Sequence, residues 1–135
     1  MCQLGIYLTF NGNCREAMTF YHQCFGGEIQ FQTLGDSPLG SQLNPEMQSY
    51  ILQASIKTHH FKLMGTDLVG EHSLVQGNSL SIWLECNTIS EARYYYQRLA
   101  KNGDALQPLE STFSGSFLGS LTDQFGKQWL FHSRD

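Results

Sequence analysis

Apolar residues recur with two different periods along this chain, and the period switches at matching places in its two halves. Ile6, Leu8 and Phe10 alternate with Gly5, Tyr7 and Thr9; later, Leu80, Ile82, Leu84 and Cys86 alternate with Ser79, Ser81, Trp83 and Glu85. Period two is the signature of a strand with one buried face. After each such stretch the period lengthens. Ala17, Phe20, Tyr21, Cys24 and Phe25 recur at helical spacing, as do Ala92, Tyr95, Tyr96 and Leu99, so each helix buries one stripe. Asn13-x-x-Glu16 and Thr88-x-x-Glu91 read as capping boxes opening the two helices.

The halves are copies of one another. Tyr7 to Ala17 resembles Ile82 to Ala92, with Glu16-Ala17 and Glu91-Ala92 separated by 75 positions. The same offset sets Tyr21 on Tyr96, and each half closes with a glycine before an acid, Gly27-Glu28 and Gly103-Asp104. Three strands are expected after each helix. They fall at about Glu28 to Leu34, Gln48 to Thr58 and His59 to Met64, then Ala105 to Thr112, Phe117 to Thr122 and Lys127 to His132. The breaker-rich stretches Gly35 to Pro45 and Asp67 to Gly77 read as a flap and an inter-module linker. The predicted architecture is α+β, two β-α-β-β-β modules at about 1–70 and 78–135 within a single domain of 135 residues.

Composition narrows the function. The chain is 41% hydrophobic and 15% charged, as a globular protein is. A net charge of −4 with no basic run leaves nothing to hold a phosphate backbone or an anionic membrane, so neither nucleic acid nor membrane is an expected partner. With no signal-like N-terminus, and no window near the roughly 18 apolar residues of a membrane span, the expected location is the cytoplasm. Cys2, Cys14, Cys24 and Cys86 form no C-x-x-C pair and are expected to be reduced thiols. No G-x-S-x-G, Walker loop or dinucleotide fingerprint is present. The serine-rich Ser111 to Ser120 stretch lacks a helix start to cradle phosphate. Methyl transfer from S-adenosylmethionine is disfavoured on the same ground, since no glycine-rich strand-to-helix loop exists.

Candidate chemistry lies on the polar parity of the strands. Tyr7, Trp83, Phe113 and Phe117 are candidate aromatic lining, with Thr9, Ser81 and Thr112 as hydrogen-bonding points, a usual make-up for a small-molecule site. Glu85 stands on the cavity parity of an otherwise apolar strand, where burial is expected to raise its pKa toward that of a useful base. His132 shares the parity of Leu130 and is a candidate proton donor or acceptor. Structural duty accounts better for the rest. Asp123 sits in a tight turn before Gln124-Phe125-Gly126, and adjacent His59 and His60 would point to opposite faces of a strand and cannot share an ion. His22 and His72 have no partner at a recognised ligand spacing.

The run from Tyr7 to Ala17, with Phe20-Tyr21, Phe25-Gly26-Gly27, Met64-Gly65-Thr66-Asp67 and the ending Thr122-Asp123-Gln124-Phe125-Gly126-Lys127-Gln128-Trp129, resembles the PhnB-like proteins of the vicinal-oxygen-chelate (glyoxalase) superfamily. That resemblance implies a glyoxalase-like fold and a homodimer. In most of the superfamily it also implies one divalent metal held by four His or carboxylate ligands. Those positions fall here at Gly5 or Ile6, Leu63 or Met64, Ser79 or Ser81, and Leu130. None supplies an ordinary ligand, and their neighbours Tyr7, Trp83 and Gln128 do not repair the set. The expectation is therefore a small-molecule binding protein with no cofactor and no metal. The alternative is a lyase or transferase in the glyoxalase manner, using a divalent metal or the acid–base chemistry of Glu85 or His132.

Overall fold

The computed structural model describes residues 1–70 and 72–134, and its backbone divides into two units, one through Leu74 and one from Val75 onward. The first contains strand β1 (Ile6–Thr9), helix α1 (Cys14–Phe25), β2 (Glu28–Thr33), the one-turn helix α2 (Pro45–Gln48), β3 (Ile51–Lys57) and β4 (Lys62–Thr66). The second contains β5 (Ile82–Cys86), α3 (Ile89–Leu99), β6 (Asp104–Ser111), β7 (Phe117–Thr122) and β8 (Gln128–Ser133). Each is a β-α-β-β-β module with a four-stranded mixed sheet, ordered β1-β4-β3-β2 and β5-β8-β7-β6. In both, the first and last strands pair in parallel and the rest antiparallel. The helix is the crossover that makes the parallel pairing possible.

Alternation along the strands sorts residues as the sequence implied. In β8, Trp129, Phe131 and Ser133 are buried while Gln128, Leu130 and His132 are partly exposed. In β5, Trp83 and Glu85 are exposed and Cys86 is buried. Helix α1 buries Cys14, Ala17, Met18, Tyr21 and Cys24, and α3 buries Ala92, Tyr96 and Leu99; Phe20, Phe25 and Tyr95 lie at the margins of these stripes. Tyr96 carries its hydroxyl into the core and donates to backbone carbonyls of Gln107 and Ser120, 2.8 and 3.0 Å away. Burial, with Asp104 nearby, pushes this phenol above its ordinary pKa.

The 75-residue repeat needs a correction. It holds within the helices, but the strand faces match at 76: Tyr7 corresponds to Trp83 and Phe10 to Cys86. The second module has one residue fewer between strand and helix and regains it at the helix exit, where Asn102 takes φ 61°. Glycine before the acid has a steric cause. A Cβ on Gly27 would lie 2.5 Å from the Lys57 carbonyl oxygen, and one on Gly103 would collide with that of Thr122. Glu28 pairs with Lys57 and Asp104 with Thr122, so the two glycines occupy one structural place.

Of the two expected capping boxes, the one at Thr88 forms in part, its return bond reaching Asn87 N rather than Thr88 N. The Thr88 hydroxyl accepts from Glu91 N at 3.1 Å, with the Glu91 carboxylate returning to Asn87 N at 3.2 Å. Asn13 makes no such bond. Its place is taken by Asp67, buried just after β4, whose Oδ1 accepts from Gly12 N (3.0 Å) and Cys14 N (2.9 Å) and whose Oδ2 accepts from Ile51 N (2.8 Å). One carboxylate thus joins the start of α1 to β3 and favours the positive end of the helix dipole.

The expected flap is more structured than its breakers suggested. It forms two 3-10 turns, Leu34–Asp36 and Gly40–Gln42, followed by α2. The Gln48 amide ties them together through the carbonyls of Gly40 (2.8 Å) and Leu43 (3.0 Å). Residues expected to open the third strand lie instead in that helix and its exit, and His59 and His60 occupy the turn between β3 and β4.

Candidate functional site

Strand register sets one row of side chains across the open face of each sheet, opposite its helix. In the first module the row runs Tyr7, Met64, Ser55, Gln30; in the second it runs Trp83, Leu130, Ser120, Gln107. Both read aromatic, aliphatic, serine, glutamine. Tyr7 and Trp83 are 55% and 52% exposed, unusual for large aromatics in strands with a buried side.

The next row separates the modules chemically. The first has Thr9 beside Thr66, and Thr66 is buried with its hydroxyl donated to the Leu52 carbonyl at 2.8 Å. At the same place the second has Glu85 beside His132. Their side chains meet, with His132 Nδ1 2.7 Å from Glu85 Oε2. Trp83 Nε1 donates to the other carboxylate oxygen at 3.2 Å, and its ring lies beside the imidazole, centroids 5.2 Å apart and planes inclined by 31°. Leu118 on β7 and Glu110 on β6 complete the row.

Glu85 departs from expectation in its ionisation. Its carboxyl is held below the usual range, chiefly by the hydrogen bond from His132 against a smaller opposing effect of burial, with Trp83 adding to the lowering. The side chain is 52% exposed, so desolvation is too weak to raise it. An ionised carboxylate gripping a ring nitrogen fixes an imidazole and serves poorly as a base itself.

Other sequence candidates scatter. Thr9 lies on the open face of β1, and Ser81 is exposed just before β5. Phe117 faces the helix side, since it shares the parity of buried Gly119 and Leu121 and pairs with buried Ser133. Phe113 is fully exposed at the tip of the β6–β7 hairpin. Thr112 stands at the base of that turn, where its hydroxyl is 2.8 and 3.0 Å from those of Ser114 and Ser116. The open face of β7 carries Leu118 and Ser120 instead, as their register opposite His132 and Leu130 places them. Asp123 is structural as expected: its carboxylate accepts from Phe125 N, Lys127 N and the indole of buried Trp129 at 2.8–3.0 Å. His22 bonds the Gly27 carbonyl at the end of α1. Burial and nearby Glu91 and Glu85 push the Cys86 thiol up to about 11, so it stays protonated at neutral pH. A separate hollow of about 580 Å³ in the first module is lined by Phe25, Gly27, Glu28, Lys57, Thr58, His59 and His60, and no buried polar side chain without a partner converges on it.

The divalent metal that the fold suggests does not suit these donors. Among the described residues no group of three or more His, Cys, Asp or Glu side chains is placed to hold an ion. The inner rows offer Tyr7 with Met64 and Trp83 with Leu130, and Glu85 and His132 are bonded to each other.

Paired β-α-β-β-β modules of this topology define the glyoxalase-like fold of the vicinal-oxygen-chelate superfamily. Within it, the sequence model of the family described as 3-demethylubiquinone-9 3-methyltransferase matches residues 3–131, and the chain belongs to that PhnB-like family. Protein PA1353 from Pseudomonas aeruginosa is 33% identical, with 98% of each chain covered and a TM-score of 0.86. A PhnB protein from Bacillus cereus, described as a putative 3-demethylubiquinone-9 3-methyltransferase, is 23% identical over 98% of this chain and 99% of its own, with a TM-score of 0.76. A glyoxalase-related enzyme from Fulvimarina pelagi is 18% identical over 98% and 88%, with a TM-score of 0.66, a likeness of fold.

Proposed function

We propose that this chain is a cytoplasmic small-molecule binding protein of the PhnB-like glyoxalase/bleomycin-resistance type, holding an organic ligand on an open sheet face without a divalent metal. The observation carrying this reading is the repeated aromatic-aliphatic-serine-glutamine row with its exposed Tyr7 and Trp83. Aromatic and apolar side chains with a few placed polar groups are the usual lining of a small-molecule site. Methyl transfer is disfavoured, because the strand-to-helix turns, Asn11-Gly12-Asn13 and Asn87-Thr88, are short and carry a single glycine between them. The test is thermal unfolding against a panel of planar and polyhydroxylated compounds. A rise in Tm with one class, abolished by Trp83→Ala or Tyr7→Ala, supports the reading, and an indifferent Tm throughout removes it.

A second reading, an acid–base enzyme, is favoured by the 2.7 Å contact between Glu85 and His132. The assembly proposed in either case is a homodimer. Strand β6 ends its sheet exposed along nearly all its length, with Leu106 53% exposed, and such edges are usually covered. Light scattering should give twice the chain mass at micromolar concentration.

A further inference from the structure

The free side of the His132 ring decides what the pair with Glu85 can do. Ionised Glu85 only accepts hydrogen bonds, so His132 Nδ1 carries the shared proton, and in the neutral ring the lone pair falls on Nε2. Nε2 makes no hydrogen bond among the described residues. Beside it, Trp83 is pinned through its indole N–H to Glu85 and presents a ring of fixed orientation, 52% exposed. Leu130 and Leu118 lie on the same face, one in the Trp83 row and one in the His132 row, and Ser120 supplies a hydroxyl next to Leu130.

Resting on the small-molecule reading above, we propose that this face of the second module takes a planar ligand bearing an acidic hydroxyl, a phenol or a stabilised enol, and that His132 Nε2 accepts its proton. In that step the ligand O–H bond breaks, an Nε2–H bond forms, and the ligand becomes an oxyanion paired with imidazolium. No other reactant is consumed. Glu85 is a positioning residue, since it sets the tautomer and neutralises the imidazolium without touching the ligand. The charged groups around the imidazole are Glu85 on β5, Glu110 across the row on β6 and Arg134 beyond the end of β8; β7 contributes only Leu118. A neutral imidazole has a proton to gain only from a group that still holds one, and the nearby fixed charge is Glu85, so an acidic hydroxyl is matched better than a carboxylate already ionised.

The 135-residue chain is titrated with para-nitrophenol and its non-ionisable ether para-nitroanisole near neutral pH, where much of the free phenol is still protonated and an ordinary imidazole is still largely neutral, and phenolate is read as the increase over free probe. Trp83 fluorescence reports binding above the constant signal of buried Trp129, and the visible phenolate band reports proton transfer. The expected result is quenching by both probes, with phenolate formed only from the phenol. His132→Gln should abolish that band and weaken phenol binding about tenfold, leaving the ether unaffected. Glu85→Gln should lose the band and Glu85→Asp regain part of it, which a purely structural role would not do. Equal binding of both probes without phenolate, or phenolate undiminished in His132→Gln, overturns the proton-accepting dyad while the binding reading stands. No binding of either probe overturns the ligand class, and no stabilisation by any compound of the wider panel removes the binding reading as well.

Discussion

Asp67 and Glu85 are both carboxylates with their two oxygens engaged, yet their surroundings give them opposite duties. Asp67 is buried and accepts from three backbone N–H groups, two at the start of α1 and one at the start of β3. Removing it strands those donors in a dry site, where each costs about 1–3 kcal/mol. Asp67→Ala should therefore destabilise the fold by about 3 kcal/mol in urea unfolding, with Asp67→Asn recovering part because an amide oxygen still accepts. Glu85 is half exposed, so its contribution to stability is small after solvent screening, but it carries a pH signature. A carboxyl whose pKa is lowered by folding stabilises above its unfolded value, near 4.3, and that contribution fades as pH falls through the folded value. Stability measured from pH 3 to 7 should show wild type gaining on Glu85→Gln as pH rises, with no further change from this carboxyl above pH 6. The pairing behind this was only half legible in the sequence. Parity marked Glu85 and His132 as facing one side, but nothing local states that residues 47 apart will be neighbours, because a parallel register is fixed by the crossover and by packing of the helix. Without the pairing, burial looked like the dominant influence on Glu85, and the direction of its pKa shift came out reversed.

Helix starts illustrate at the element scale what a motif can and cannot promise. Asn13-x-x-Glu16 and Thr88-x-x-Glu91 satisfy the same pattern, but the pattern describes side chains able to cap, and which one does so depends on competing acceptors. Asp67 reaches α1 from the end of β4 and leaves Asn13 without a cap bond; in the second module Thr88 does the work itself. Thr88→Ala should cost about 1 kcal/mol, whereas Asn13→Ala should change stability by less than about 0.5 kcal/mol. Chemical denaturation of the two single variants checks this, and equal losses would show Asn13 contributing in a way its geometry does not indicate. Strand identity and facing were readable because period two survives in β1, β5 and β8. Where bulky residues sit on both parities, as Phe117 and Leu118 do, periodicity gives no decision, and Phe117 was assigned to the wrong face until register placed it opposite buried Ser133. The stretch before β3 misled for a different reason. Its glycines and prolines break regular elements, but they also permit the tight 3-10 turns and the Asn44-capped α2 that form there.

For the whole molecule, duplication supplied two equivalent rows and divergence has given them different chemistry. The aromatic-aliphatic-serine-glutamine row is kept in both modules, which is what a shared requirement for an apolar, hydrogen-bonding face produces. One row further, Thr9 and Thr66 close the first module with a buried hydroxyl, while Glu85 and His132 place the charged pair in the second. Divalent metal binding draws on His and carboxylate donors that converge with free lone pairs. Here the aromatic row offers none, and the Glu85–His132 pair leaves one free imidazole nitrogen, Nε2, with no further His or carboxylate converging on it among the described residues. Recombinant protein purified without chelator or affinity tag should therefore carry far less than one divalent ion per chain by elemental analysis. Its Tm should shift neither with EDTA nor with added zinc, nickel or manganese, because an ion that binds only the folded state raises Tm in proportion to its affinity. Near-stoichiometric metal with a Tm that falls on chelation would mean that side chains outside the sheet rows supply the ligands, and would bring the metal-dependent lyase reading to the front.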